Sequence, residues 1–266
     1  MDYSAFQSVA PVKPATPYVG GKSRLASTIV ERIENTPHHT YAEPFVGMGG
    51  VFLRRRQQPP VEVINDISRD VATFFRILQR HYPQFMDMLK FQISSRAAFD
   101  RLRRTDPETL TDLERAARFL YLQSLAFGGK VSSRHFGVAA DRPGRFNVQQ
   151  LAPRLEDIHE RLAGVVIECL PYAEFLARYD RAETLFYLDP PYFGSEDYYG
   201  PGVFSSDDFT RLAEILGGIK GRFILSINDA PEIRKVFADF DIEEVGTSYT
   251  VAGGRAKPAP ELIITN

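Results

Sequence analysis

The sequence predicts an α/β protein built on an open, largely parallel sheet whose strand–helix alternation is broken once by a helical insertion. Three observations lead there. The apolar run at residues 185–188 lacks the alternation of a half-wetted strand and reads as a strand buried on both faces, 223–227 reads as another buried strand, and 61–65 as a further strand. Between most such runs lie segments with apolar residues at helical spacing. One run, Leu185-Phe186-Tyr187-Leu188, stops dead at Asp189-Pro190-Pro191-Tyr192. Two prolines donate no ladder hydrogen bond and fix φ, so a carboxylate, a free carbonyl and an aromatic ring emerge together on rigid backbone. In open α/β sheets the carboxyl edge of the strands is where ligands bind.

Residues 1–16 carry no periodicity, and Pro11 and Pro14 suggest a loose lead-in. Pro17-Tyr18-Val19-Gly20-Gly21-Lys22 then runs into a helical pattern of Leu25, Ile29 and Ile33. A P-loop would need glycine where Thr16 stands, so a nucleoside triphosphatase is rejected. Two glycines and a lysine at a helix start still suit an anionic carboxylate. Residues 41–46 read as the first strand, ending in Pro44-Phe45-Val46-Gly47-Met48-Gly49-Gly50. Gly47 and Gly49 make a turn that lets a ligand approach the backbone closely, although Phe52 stands where a dinucleotide motif has its third glycine. The second strand, 61–65, ends at Asp66, about 20 residues after the first glycine, where an acid meets ribose hydroxyls. Asp66 also fits the cap of the next helix, which "NDISRD" opens.

From residue 74 to 150 the pattern is helical, with Phe85, Met88, Leu89 and later Leu113, Ala116, Ala117 and Leu120 in register. From Arg115 to Arg154 the basic residues are Arg115, Arg118, Lys130, Arg134, Arg142, Arg145 and Arg154, against Asp141 alone. Tyr121, Phe127, Phe136 and Phe146 are interleaved with them. A charge run by itself marks a solvated face; a basic, glycine-rich, aromatic-bearing loop beside a ligand site points to a polyanion. Alternation then resumes with a strand at 165–170, a helix at 172–179 and the central strand. A loop at 193–204, able to act as a lid, leads to a helix with Phe209, Leu212, Ala213, Leu216 and Ile219 on one face and Ser205 or Ser206 as cap. Strands at 223–227, 242–251 and 262–265 close the chain, the last two separated by the loop "AGGRAKPAPE".

With 266 residues, the chain suits one large α/β domain with or without an inserted module. No apolar run approaches the roughly 20 residues of a membrane span, and no signal pattern opens the chain, so a cytoplasmic protein is expected. The lone Cys169 excludes a disulfide framework, and five histidines without metal-ligand spacing give an expectation of no metal. The net charge of −2 is neutral on nucleic acid as partner.

The motifs "PYVGGK", "EPFVGMGGVFL", "NDIS" and "DPPY", in that order, resemble those of the Dam-like DNA adenine methyltransferases, the D12 class; "ELIITN" is similar to that family's closing strand. The resemblance implies a Rossmann-like sheet that uses S-adenosylmethionine, formed by residues 17–73 plus 151–266, with residues 74–150 as an inserted helical target-recognition domain. It implies that Tyr18, Lys22, Phe45, Gly47, Gly49, Asp66 and Asp189 hold the cofactor. It also implies that Asp189, Pro190, Pro191 and Tyr192 carry the chemistry; from the basic insert, Lys130, Arg134, Arg142 and Arg145 are expected to grip double-stranded DNA. Position 18 departs from the pattern, with tyrosine in place of tryptophan. No obligate protein partner is evident.

An aromatic amine is a poor nucleophile because its lone pair is delocalised into the ring. The Asp189 carboxylate and Pro190 carbonyl, fixed by the two prolines, would accept its hydrogens and favour a pyramidal nitrogen. Tyr192 would stack on a flipped base, worth about 1–3 kcal/mol against an unstacking cost of a few. Cytosine carbon-5 methylation needs a Pro-Cys nucleophile, and Cys169 instead precedes Leu170-Pro171. The alternatives retained are cytosine 4-amino methylation and a non-catalytic DNA-binding protein on the same scaffold.

Overall fold

The structure, a computed structural model, describes residues 6–18, 22, 25–126, 135–137, 144–196, 203–246, 248–249, 257–258 and 260–266. Seven strands form the central sheet: β1 (Thr40–Glu43), β2 (Val61–Asn65), β3 (Val166–Glu168), β4 (Thr184–Leu188), β5 (Arg222–Asn228), β6 (Asp241–Val245) and β7 (Glu261–Thr265). Their order across the sheet is β3-β2-β1-β4-β5-β7-β6. The first five run parallel, and β7 lies antiparallel between β5 and β6. The order reverses between β1 and β4, and a crevice opens at their carboxyl ends.

The strands without alternation are buried on both faces. Tyr41, Ile64, Leu185, Tyr187, Ile224 and Ile263 enter one hydrophobic cluster, while Ala42, Val63, Phe186, Leu188, Leu225 and Leu262 enter the other. The first cluster is covered by α1 (Ala26–Asn35), α2 (Arg69–Arg80), α3 (Tyr82–Leu89), α4 (Arg96–Arg104), α5 (Asp112–Leu125) and α6 (Val148–Arg161). The second is covered by α7 (Tyr172–Tyr179), α8 (Ser206–Gly217) and α9 (Pro231–Val236). Ser205 caps α8 in a capping box with Asp208, which decides between the two serines. The helices of the insertion share the sheet's cluster, and α2 runs through the boundary expected at residue 74.

Several expected bounds shift, each for a physical reason. β1 ends at Glu43 because Pro44 cannot extend the ladder. β3 is shorter than 165–170 because the Asn65 amide replaces the ladder at its end, accepting from Leu170 N at 2.8 Å and donating to Leu170 O at 3.0 Å. β6 stops at Val245, and Ser248–Tyr249, in the later part of the expected strand, pairs antiparallel with Lys257–Pro258 in the expected loop. Residues 6–16, expected as a loose lead-in, lie against the body. Gln7–Ser8 pairs with Gln57–Gln58, Val12 N donates to Leu53 O at 2.7 Å, and Val12 and Ala15 are buried.

A buried ionic group ties β2 to α6 behind the crevice. Glu62 accepts two hydrogen bonds from Arg161, at 2.6 and 2.7 Å, and also pairs with Arg55. The Arg55 guanidinium lies 3.6 Å from the Tyr41 ring centroid, and Tyr41 Oη donates to Glu43 Oε2 at 2.6 Å. Burial lowers both arginines to about 10. Removing one member of such a group strands the others without compensation. Glu62→Ala should therefore lower the unfolding free energy by about 3–5 kcal/mol; a urea midpoint within error of wild type would show that the group contributes nothing net.

Candidate active site

The loop after β1 is shaped by a single acid. Gly47 N donates to Asp66 Oδ2 at 2.9 Å, and Ser68 N donates to Asp66 Oδ1 at 2.8 Å. Asp66 therefore binds the glycine turn to the approach of α2. It does not cap that helix, whose N-cap position is Ser68. Burial raises the Asp66 carboxyl to about 6 against the pull of those two amides. Gly47 sits at φ +51°, and a Cβ there would meet Tyr18 Cδ1 at 3.0 Å, so the Tyr18 ring lies directly on the turn. Gly49, at φ +74°, serves packing instead: its Cβ would meet Leu53 Cγ at 2.9 Å, and it is not on the cavity wall.

Asp189 follows β4 and meets a buried lysine. Lys22 Nζ lies 2.8 Å from Asp189 Oδ1 and 3.4 Å from Glu261 Oε2, and donates to Tyr192 Oη at 2.7 Å. Tyr192 Oη in turn donates to Glu261 Oε1 at 2.8 Å. Burial raises the Asp189 carboxyl to about 6, with Lys22 pulling it down and Glu261 pushing it up. Lys22, expected to face a ligand's carboxylate, here pairs with the protein's own. Glu43, also buried, is lifted to about 8 chiefly by desolvation. Asparagines fix the surrounding backbone: Asn65 donates to Pro44 O at 2.9 Å, and the Asn228 amide closes two bonds with the Phe193 backbone at 2.9 and 3.2 Å.

Tyr18, Lys22, Phe45, Gly47, Asp66, Asp189 and Pro191 line one cavity of about 850 Å³; Pro190 and Tyr192 are not on its wall. Phe204 closes one side, edge-on to Phe45 at 6.0 Å. The cavity's chemistry suits S-adenosylmethionine. Aromatic rings and a turn free of side chains would flank a nucleoside there, and Asp66 would offer acceptors to its ribose hydroxyls. Asp189 gives the floor a negative group that favours a sulfonium, and Lys13, Arg54, Arg154 and Arg211 on the wall favour a carboxylate.

Glu261, Glu43 and Arg154 were not among the expected site residues. Arg154 had been counted with the basic loop, yet its guanidinium donates to Ala15 O at 3.3 Å and lines the cavity. Two other arginines counted with that loop also belong elsewhere. Arg115 pairs with Asp70 at 2.6 Å and Glu108 at 2.9 Å, and Arg118 lies 3.7 Å from Asp70, so both are spent inside the helical layer. Of the residues expected to grip DNA, Arg145 is exposed, while Lys130, Arg134 and Arg142 lie outside the described residues, as does half of the expected lid. Among the described residues no group of three His, Cys, Asp or Glu is gathered as for a metal, and no helix is long and apolar enough to cross a membrane.

Sheet order, glycine turn and strand-end acids together define a Rossmann-like methyltransferase. The chain belongs to the D12 class of N6 adenine-specific DNA methyltransferases, whose family profile matches residues 18–251. It is 27% identical to the type II methyltransferase M1.LlaDCHI of Lactococcus lactis subsp. cremoris, over 96% of this chain and 95% of that one. It is 25% identical to the DNA adenine methylase of Escherichia coli K12, over 92% of each chain. To the type II methyltransferase M.CviBI of Paramecium bursaria Chlorella virus NC1A it is 22% identical, over 90% of this chain and 91% of that one. The protein is a DNA adenine methyltransferase, and the family implies S-adenosylmethionine as methyl donor.

The left-handed turn at Gly47 leaves no room for a side chain. Gly47→Ala should lower the unfolding free energy by about 1–2 kcal/mol from backbone strain alone. Chemical denaturation measures this, and an unchanged midpoint would mean that the turn and the Tyr18 ring adapt freely.

Proposed function

We propose that this enzyme methylates the 6-amino group of adenine in double-stranded DNA after the base has swung out of the helix, with Asp189 and Pro190 accepting the hydrogens of the amine. The observation that carries this reading is the Asp189 carboxylate, held by Lys22 at the proline-stiffened end of β4, on the wall of the cavity that Tyr18, Phe45, Gly47 and Asp66 also line. Bound in that cavity, S-adenosylmethionine supplies an electrophilic methyl group.

The chain's own residues do the rest. Tyr18 and Phe45 flank the adenine ring of the cofactor, and Asp66 accepts from its ribose. Asp189 is a strong, acceptor-only group as the carboxylate, and Pro190 supplies a carbonyl that cannot rotate away. Together they draw the target's two N–H bonds into directions that free its lone pair, with little reorganisation left for the transition state. Tyr192 stacks on the displaced base, which unstacking has made dearer to hold by a few kcal/mol. Residues 74–150 act as the target-recognition domain. Arg145, exposed as are Lys90 and Arg96, joins Lys130, Arg134 and Arg142 in meeting phosphates or bases.

The test is incubation with duplex DNA and methyl-labelled S-adenosylmethionine, then digestion to nucleosides. Label in N6-methyl-2′-deoxyadenosine, lost at least a hundredfold in Asp189→Ala while DNA binding persists, is the expected result. Label in methyl-2′-deoxycytidine, or an Asp189→Ala variant within about tenfold of wild type, would overturn it.

Because its carboxyl is raised to about 6, Asp189 loses the negative charge that makes it a strong acceptor as the pH falls through that value. At saturating cofactor kcat should drop about tenfold per unit below pH 6. Asp66 titrates in the same range, so KM for the cofactor should rise there as well. A kcat flat down to pH 5 would contradict the role given to Asp189.

A further inference from the structure

Glu261 is the first residue of β7, and its place follows from the strand's direction. β7 runs antiparallel, so its beginning lies at the carboxyl edge of the parallel strands, with Glu261 in register with Asn228 at the end of β5. The side chain is 1% exposed, as is that of Lys22. An acid buried at the head of an apolar strand costs several kcal/mol unless its charge is matched. Here it is matched on both oxygens: Oε1 accepts from Tyr192 at 2.8 Å, and Oε2 lies 3.4 Å from Lys22. Lys22 completes the ring through Tyr192 Oη at 2.7 Å and Asp189 Oδ1 at 2.8 Å.

We propose that Glu261 is a positioning residue for methyl transfer, holding Lys22 between two carboxylates and fixing the Tyr192 ring, so that Asp189 keeps a free lone pair for the target amine. This rests on the roles given above to Asp189 and Tyr192. A lysine paired with Asp189 alone would draw the whole carboxylate to itself, occupying the direction the amine needs. With Glu261 opposite, the ammonium is shared, and Asp189 meets it through one oxygen. Tyr192 is caught at its hydroxyl, which sets the ring plane that faces the displaced base. Glu43 and Tyr187 also bear on Asp189 electrostatically, but Tyr187 Oη pairs with Ser226 at 2.8 Å and Glu43 with Tyr41, so neither enters the ring of contacts.

The experiment is steady-state methylation of duplex DNA by Glu261→Gln over a range of pH, with melting curves as a check on folding. Glu261→Gln should lower kcat by about ten- to a hundredfold, as a misplaced catalytic group does, with KM for S-adenosylmethionine within about threefold of wild type. Its acid limb should move to lower pH, because Glu261 no longer raises Asp189. A merely structural role would lower the melting temperature without moving that limb. Tyr192→Phe, which removes only the hydroxyl, should also lower kcat, and the double variant should be no worse than the poorer single one. The inference is overturned if kcat and the acid limb match wild type, if the loss lies wholly in KM for the cofactor, or if the two variants add. Should Glu261→Gln fail to fold, a Tyr192→Phe variant with wild-type kcat overturns it equally. Wild-type enzyme that labels no adenine would instead overturn the functional reading, and this one with it.

Discussion

The ion pair between Lys22 and Asp189 is the contact on which the site depends. It joins the segment before α1 to the end of β4, and so brings the two halves of the chain together across the crevice. Two unit charges about 4 Å apart attract by about 4 kcal/mol at an effective dielectric of 20. Taking each out of water costs several kcal/mol, so the pair is near balance and adds little to stability. Its value lies in placement. Burial keeps Asp189 at the edge of ionisation, and Lys22 holds it on the ionised side above about pH 6.

Around that pair the fold supplies rigidity by different means on each side. On the β1 side a glycine turn is fastened by Asp66, and Asn65 holds the loops after β1 and β3. On the β4 side the stiffness is covalent, in Pro190 and Pro191, and Asn228 fastens Phe193 just beyond them. The Glu62 group behind β1 carries the cost of three buried charges, and it spans β2, α6 and the turn before Gln57. The sheet carries apolar side chains on both faces, so these loops rest on a core that leaves them one arrangement.

Much of this was legible in the sequence because the signals are local. Short apolar segments gave β2, β4 and β5 nearly residue for residue, and the four motifs singled out Tyr18, Phe45, Gly47, Asp66 and Asp189, which line one cavity. What escaped depends on contacts distant in sequence. Glu261 looks like the end of a loop until an antiparallel strand carries it to the functional edge, 69 residues from Tyr192. Arg115 and Arg118 look like a basic surface until α5 packs on α2 and hands them to Asp70. The tail before Tyr18 has no periodicity because it is held by backbone bonds to residues 53–58, which leave no trace in side-chain pattern.

The most direct test of the account is a crystal structure of the enzyme with S-adenosylhomocysteine, the product of methyl transfer. The account predicts adenosine between Tyr18 and Phe45, ribose hydroxyls on Asp66, and the sulfur turned toward the Asp189 side of the cavity. A nucleoside bound elsewhere, or bound there with its sulfur turned away from Asp189, would contradict it.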